Sequence, residues 1–188
     1  MIFDSGGVFV SAITVDRFYL QLLHVLQQDG QATNQVIGEK VHLSASQVSR
    51  RILRLQQAGV IDHYCALLDP GAVGLDVMAF TMVTLDRQNS TVGKRFEAEV
   101  EHLPHILECY TLAGEADYML RIVAADLGAF AQFMTQKLLR MPGVANVKSI
   151  ITLQKIKQTS VLPLDHILHP TESRQRVQFA SAGQDKRV

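Results

Sequence analysis

HILECYTLAGEADYMLRIVA, residues 105–124, decides how the second half of the chain is built. Two strand-like runs, HILECYTLAG and DYMLRIVA, flank a short acidic turn at Gly114, and no helix separates them. Upstream, VMAFTMVTL (77–85) reads as a strand, and in TVGKRFEAEVEHL (91–103) Val92, Phe96, Val100 and Leu103 recur at helical spacing until Pro104 ends the helix. Downstream, DLGAFAQFMTQKLLRM (126–141) reads as a helix capped by Asp126, with Leu127, Phe130, Met134, Leu138 and Met141 inward. The Pro142–Gly143–Val144 run stops it, and NVKSIITLQKIK (146–157) reads as a long last strand. Strand, helix, strand, strand, helix, strand is the ferredoxin-like split arrangement. Two helices cover one face of such a sheet. The 77–85 strand carries Met78, Phe80 and Met82 on one side and Val77, Ala79, Val83 and Leu85 on the other. An apolar second face predicts a dimer through the open side of the sheet.

The first half is helical. Tyr19, Leu22, Leu23 and Leu26 form one stripe, with Asp16 as cap and Gly30 at the stop. A short helix over 34–41 follows, capped by Thr33. SASQVSRRILRLQQAGVI (44–61) then begins with Ser44 and Gln47 in capping-box spacing, buries Val48, Ile52 and Leu55, and ends at Gly59. Its outward positions are Ser46, Gln47, Ser49, Arg50, Arg51 and Arg54, and no acid occurs between 44 and 57. Arginine and glutamine suit base edges and phosphates, and serines at a helix start suit phosphate oxygens. Three short helices with the basic one last match the helix-turn-helix plan. The plain alternative is a small bundle with a solvated basic face. Ser46, Gln47, Ser49 and Arg50 stand nearest the helix start and are expected at bases. Arg51 and Arg54 are expected on phosphates. After this unit, residues 61–68 read as a strand, and Pro70–Gly71 as a hinge between domains.

The bulk numbers restrict the classes. With 188 residues, 47% hydrophobic and 19% charged, the composition is globular, and zero net charge confines any nucleic-acid contact to a local patch. Cys65 and Cys109 lie in apolar stretches and are expected as buried free thiols of a reducing compartment, without the CxxC pair of a zinc site. MIFDSGGVFVSAIT (1–14) lacks the basic start and long apolar core of a signal peptide, and no apolar run reaches the roughly 20 residues of a membrane span. A cytoplasmic protein is expected, without membrane contact.

Taken together, the helix-turn-helix over 16–60, the hinge, LAGEADYML (112–120) and LRMPGVANVKS (139–149) closely resemble the Lrp/AsnC family of transcription regulators, over about residues 15–165. The resemblance implies an α+β chain. Its parts would be an N-terminal three-helix, winged-type helix-turn-helix domain (15–61), a linker strand and hinge (62–76) and a ferredoxin-like βαββαβ effector-binding and oligomerisation domain (77–165). A flexible tail (166–188) would close it. It further implies double-stranded DNA as a partner, dimers that assemble to octamers, and an amino-acid effector bound between dimers, with no cofactor and no metal. The family's loop typically reads small–Gly–Asp–x–Asp–hydrophobic. Here Gly114 and Asp117 match, and Glu115 stands where Asp is usual. After Pro–Gly–Val the family often carries Thr–x–Thr. Here Ser149 keeps a hydroxyl and Val147 does not. The proline-rich entry to the recognition helix is replaced by Ala45, Ser46 and Gln47, which bears on the operator.

The resemblance thus assigns Leu112, Ala113, Gly114, Glu115, Asp117 and Ser149 to the effector site. Burying a free amino acid requires partners for its ammonium and its carboxylate. Backbone N–H groups from Leu112 to Gly114 could take the carboxylate, and Asp117 or Glu115 the ammonium. The competing reading is that Asp117 caps the turn and Glu115 is solvated. Two further functions have sequence signatures to check. An enzyme would need a nucleophile elbow, a phosphate loop or paired acids, and none is present; His102/His105 and His166/His169 have i, i+3 spacing but sit by Pro104 and in the polar tail. An architectural DNA-wrapping protein would differ only in lacking an effector.

Overall fold

The computed structural model describes residues 13–86, 91–167 and 177–179. It divides into two compact units, one running to Ala66 and resuming at Gln158, the other spanning Leu67–Lys157.

In the first unit, strand β1 (Ile13–Val15) leads into α1 (Arg17–Gln28), whose N-cap Asp16 accepts from the Tyr19 N–H at 3.0 Å. The helix stops at Asp29 in extended backbone. Gly30 is therefore not a left-handed stop. A Cβ there would stand 3.2 Å from the Tyr64 ring, so the residue makes room for that ring. Helix α2 (Asn34–Val41), capped by Thr33, ends at His42 in the left-handed region, φ 57°. Helix α3 (Ala45–Gln57) follows after a turn of three residues. Gly38 sets that turn: its carbonyl accepts from the Leu43 N–H at 2.9 Å, and a Cβ on it would meet the Leu43 carbonyl oxygen at 2.4 Å. Leu22, Ile37, Val41, Val48 and Leu55 form the core between the helices.

Three expectations need correcting here. The 61–68 stretch is not a strand. Gly59 (φ 61°) turns the chain so that the Val60 and Ile61 N–H groups both reach back to the Leu55 carbonyl, and their side chains pack on the helical core. The residues that follow have no ladder partner within one chain, and no hairpin wing forms after α3 among the described residues. Third, the sensor-like domain does not run to 165. From Gln158 the chain belongs with the helical unit, and Ile167, assigned from sequence to a loose tail, is buried in the helical core. Strand β6 (Val177–Phe179) pairs parallel with β1. The other tail residues lie outside the described ones.

The second unit contains β2 (Val77–Leu85), α4 (Val92–Glu101), β3 (Ile106–Thr111), β4 (Tyr118–Ala124), α5 (Leu127–Gln136) and β5 (Val144–Ile151). The sheet order is β3-β4-β2-β5, antiparallel throughout. Burial along β2 alternates residue by residue: Val77, Ala79, Thr81, Val83 and Leu85 face the helices, while Met78, Phe80 and Met82 lie half-buried on the other side. Phe96, Leu120, Ile122 and Leu138 anchor the core under α4 and α5. Leu127, expected inward, is 58% exposed. Asp126 turns the first residue of α5 to solvent as it caps the Ala129 N–H, and Phe133 fills the inward place. Nor does that helix run to Met141. It breaks at Lys137 into a short 3₁₀ turn, Leu138–Arg140. Gly143 (φ 85°) then reverses the chain where a Cβ would stand 2.1 Å from Val92 Cγ1. The last strand ends at Ile151, not at 157.

Candidate DNA-reading face and effector loop

Helix α3 is closed at its start by a reciprocal cap. The Gln47 N–H donates to Ser44 Oγ at 3.3 Å, and the Ser44 N–H donates to Gln47 Oε1 at 2.9 Å. The Ser46 hydroxyl lies 3.1 Å from that of Ser44. Val48 and Leu55 are fully buried. The opposite side presents Ser46, Gln47, Ser49, Arg50 and Arg54 to solvent, as expected. Arg51 does not join them. Its two terminal nitrogens lie 3.0 and 2.9 Å from the two carboxylate oxygens of Asp16, and its guanidinium carbon stands 4.3 Å from the Tyr19 ring centre. A planar fork paired with a carboxylate and stacked on an aromatic ring is a fixed group. Arg51 ties α3 to the start of α1, so the expectation that it grips phosphate is corrected. No short-range pattern joins residues 16 and 51, which is why sequence reading missed the pair.

The 112–117 loop joins β3 to β4. Leu112 donates its N–H to the Asp117 carbonyl at 2.8 Å, so that donor is already used within the loop. Asp117 donates its own N–H to the Val83 carbonyl at 3.0 Å, and its carboxylate accepts from the Leu85 N–H at 2.8 Å. It thereby stitches the loop to the end of β2. Ala113, Gly114 and Glu115 are exposed, and nothing stands within 4 Å of where a Gly114 Cβ would be. Ser149 lies on β5, its hydroxyl 3.0 Å from that of the buried Thr81. In the strand order, β4 and β2 separate it from β3, so one chain does not close the loop and Ser149 into a single pocket.

The open face of the sheet holds a polar cluster that sequence reading also missed. Arg121 pairs in register with Phe80 and with Glu108, which places it among Met78, Met82 and Met119. Its guanidinium bonds the Glu108 carboxylate, and its buried Nε has no partner among the described residues. The Arg121 hydrogen bond is the main reason that the Glu108 carboxyl titrates below the usual range, against the opposing effect of its partial burial. The Tyr110 hydroxyl donates to the same carboxylate, at 3.0 Å. The one cation inside DYMLRIVA was the available signal. The two cysteines are both exposed and unpaired in the single chain, against the expectation of burial. Even so, desolvation, with the Glu97 charge, pushes the Cys109 thiol up to about 11. No group of three or more His, Cys, Asp or Glu stands ready to hold a metal among the described residues. His105 instead lies against the Phe133 ring, and His169 falls outside them. No described helix is long and apolar enough to cross a membrane.

Comparison with known proteins matches both units. Residues 15–56 match the AsnC-type helix-turn-helix domain and residues 78–162 the Lrp/AsnC ligand binding domain. The chain is 35% identical over 150 residues to the Bkd operon transcriptional regulator of Pseudomonas aeruginosa, covering 80% of this chain and 98% of that one. It is also 35% identical to the leucine-responsive regulatory protein of Rhizobium meliloti, over 79% and 95% of the two chains. Among solved structures it resembles a Neisseria meningitidis transcriptional regulator in complex with L-Met, with a TM-score of 0.79 and 38% identity over 82% of this chain and 99% of that one. These relatives are transcription regulators, not enzymes. The chain belongs to the Lrp/AsnC family of transcriptional regulators, with a helix-turn-helix domain followed by a ligand-binding domain.

Proposed function

We propose that the exposed side of α3 reads double-stranded DNA, with Ser46, Gln47, Ser49 and Arg50 at base edges and Arg54 on phosphate. The observation that carries this is a capped helix whose outward side bears no acid and whose third arginine is held apart by Asp16. The ligand-binding unit responds to an apolar amino acid. Methionine and leucine are the first candidates, because one relative is a complex with L-Met and another is leucine-responsive. The ammonium and carboxylate of that effector meet Ala113, Gly114 and Glu115, with Leu112 and Asp117 holding the loop in shape. Ser149 supplies a hydroxyl from another copy, since one chain keeps it two strands away.

The protein works as a homodimer through the open sheet face, where Met78, Phe80, Met82 and Met119 surround the Arg121–Glu108 pair and where the Arg121 Nε needs an acceptor. Dimers assemble further, to octamers, and the effector shifts the population of assemblies that present the DNA-binding heads. Such a regulator acts in the cytoplasm, where the DNA is. One observation favours a second reading, an architectural DNA-wrapping protein without effector: the Asp117 carboxylate and the Leu112 N–H already bond within the fold. A thermal-shift screen of the twenty amino acids, with Glu115→Ala alongside, separates the two. Stabilisation by an apolar amino acid that weakens in the variant supports sensing; no response to any amino acid overturns it in favour of the architectural reading.

A further inference from the structure

The chain does not finish in the ligand-binding unit. After β5 the run 152–157 leads into residues 158–167, which return to the DNA-binding unit. Gln27 on α1 holds this segment from both sides. Its Nε2 donates to the Leu162 carbonyl at 3.3 Å, and the Leu162 N–H donates to its Oε1 at 2.6 Å. A side-chain amide that satisfies the N–H and the C=O of one residue replaces a neighbouring strand. Leu164 then packs on the helical core, and Ile167, in the 3₁₀ turn Asp165–Ile167, is buried within it at 5% exposure, in the cluster of Leu22, Ile37 and Val48. The core of the DNA-binding unit is thus built from two stretches of chain far apart in sequence.

We propose that residues 158–167 are a strap that completes the DNA-binding head and gives it a second covalent connection to the effector domain. The first connection is the hinge before β2. The second leaves β5, the strand that carries Ser149, and reaches Gln27 on α1 through the run 152–157. A head on one flexible linker is free to reorient, whereas a head held at two points loses most of that freedom, and a change at β5 pulls on α1 directly. The regulatory half of this inference rests on the effector and DNA roles proposed above. The structural half rests on the packing alone.

The test uses the full-length protein and two variants: Gln27→Ala, which removes both bonds to Leu162, and Leu164→Ser with Ile167→Ser, which frees the strap. Hydrogen exchange is followed at the α1 amides from Leu22 to Leu26 and at those of β2. Affinity for its own promoter fragment is measured with and without saturating L-methionine, then L-leucine. The strap predicts α1 exchange faster by roughly tenfold or more in the double variant, a smaller rise in Gln27→Ala, and unchanged β2 amides. It also predicts that the change in DNA affinity caused by the amino acid falls by at least about half in the double variant. Unchanged α1 exchange in both variants overturns the strap. Faster exchange with an undiminished amino-acid effect overturns its regulatory half. If the wild type shows no amino-acid effect, it is the effector reading that fails, and the exchange arm still decides whether the strap completes the head.

Discussion

Arg50 and Arg51 are neighbours on one helix with opposite assignments, and substitution separates them. Arg51→Ala removes the forked pair with Asp16 and the packing on Tyr19. It should lower unfolding stability by about 1 kcal/mol, the pair being partly screened by solvent. Arg50→Ala touches nothing in the fold and should change stability by less than about 0.5 kcal/mol while weakening DNA binding. Chemical denaturation and a DNA titration of both variants check this; equal losses of stability would contradict it. Gly38→Ala forces a methyl group to within 2.4 Å of the Leu43 carbonyl oxygen. The backbone must move, at a cost of about 1–3 kcal/mol visible as a lower denaturation midpoint. The outward positions of α3 were legible in the sequence because helical spacing fixes which side chains share a side. The pairing of Arg51 with Asp16 was not, because 35 residues separate the partners and only the folded turn at Gly38 brings the helices together.

Among the elements, β2 was the most readable. A strand with apolar residues at nearly every position announces two covered faces, and its burial alternates as the pleat requires. Elements whose limits depend on distant neighbours read less well. Nothing local says that β5 stops at Ile151, or that residues 61–68 find no ladder partner. Nor does anything local in DHIL show that Ile167 is core. The loop's glycine and acids were legible as a turn, but Asp117's bond to the Leu85 N–H depends on β2 lying beside β4. On the open face, Glu108 has its titration lowered chiefly by Arg121. A carboxyl lowered on folding adds stability above its unfolded pKa and loses it as pH falls through the acid range to the folded value. Glu108→Gln should therefore flatten the acid side of the curve of melting temperature against pH. Parallel curves for wild type and variant would deny Glu108 that role. On β3, burial holds the Cys109 thiol protonated up to about pH 11. A thiol reagent at neutral pH should therefore modify Cys65 well before Cys109, read by mass spectrometry on the Cys65→Ser and Cys109→Ser variants.

At the scale of the whole molecule, two units with separate cores share one chain, and the first of them is completed by residues beyond the second. The central claim is that the α3 side grips DNA. Its most direct measurement is the affinity of the full-length protein for its own promoter fragment across a salt series, for wild type, Arg54→Ala and Arg51→Ala. A phosphate-gripping face predicts a log–log line that falls steeply with salt. The slope should be smaller by about one in Arg54→Ala, the share of a single neutralised phosphate, and the same as wild type in Arg51→Ala at a temperature where that variant is folded. No binding at low salt, or a slope unchanged in Arg54→Ala and reduced in Arg51→Ala, would contradict it.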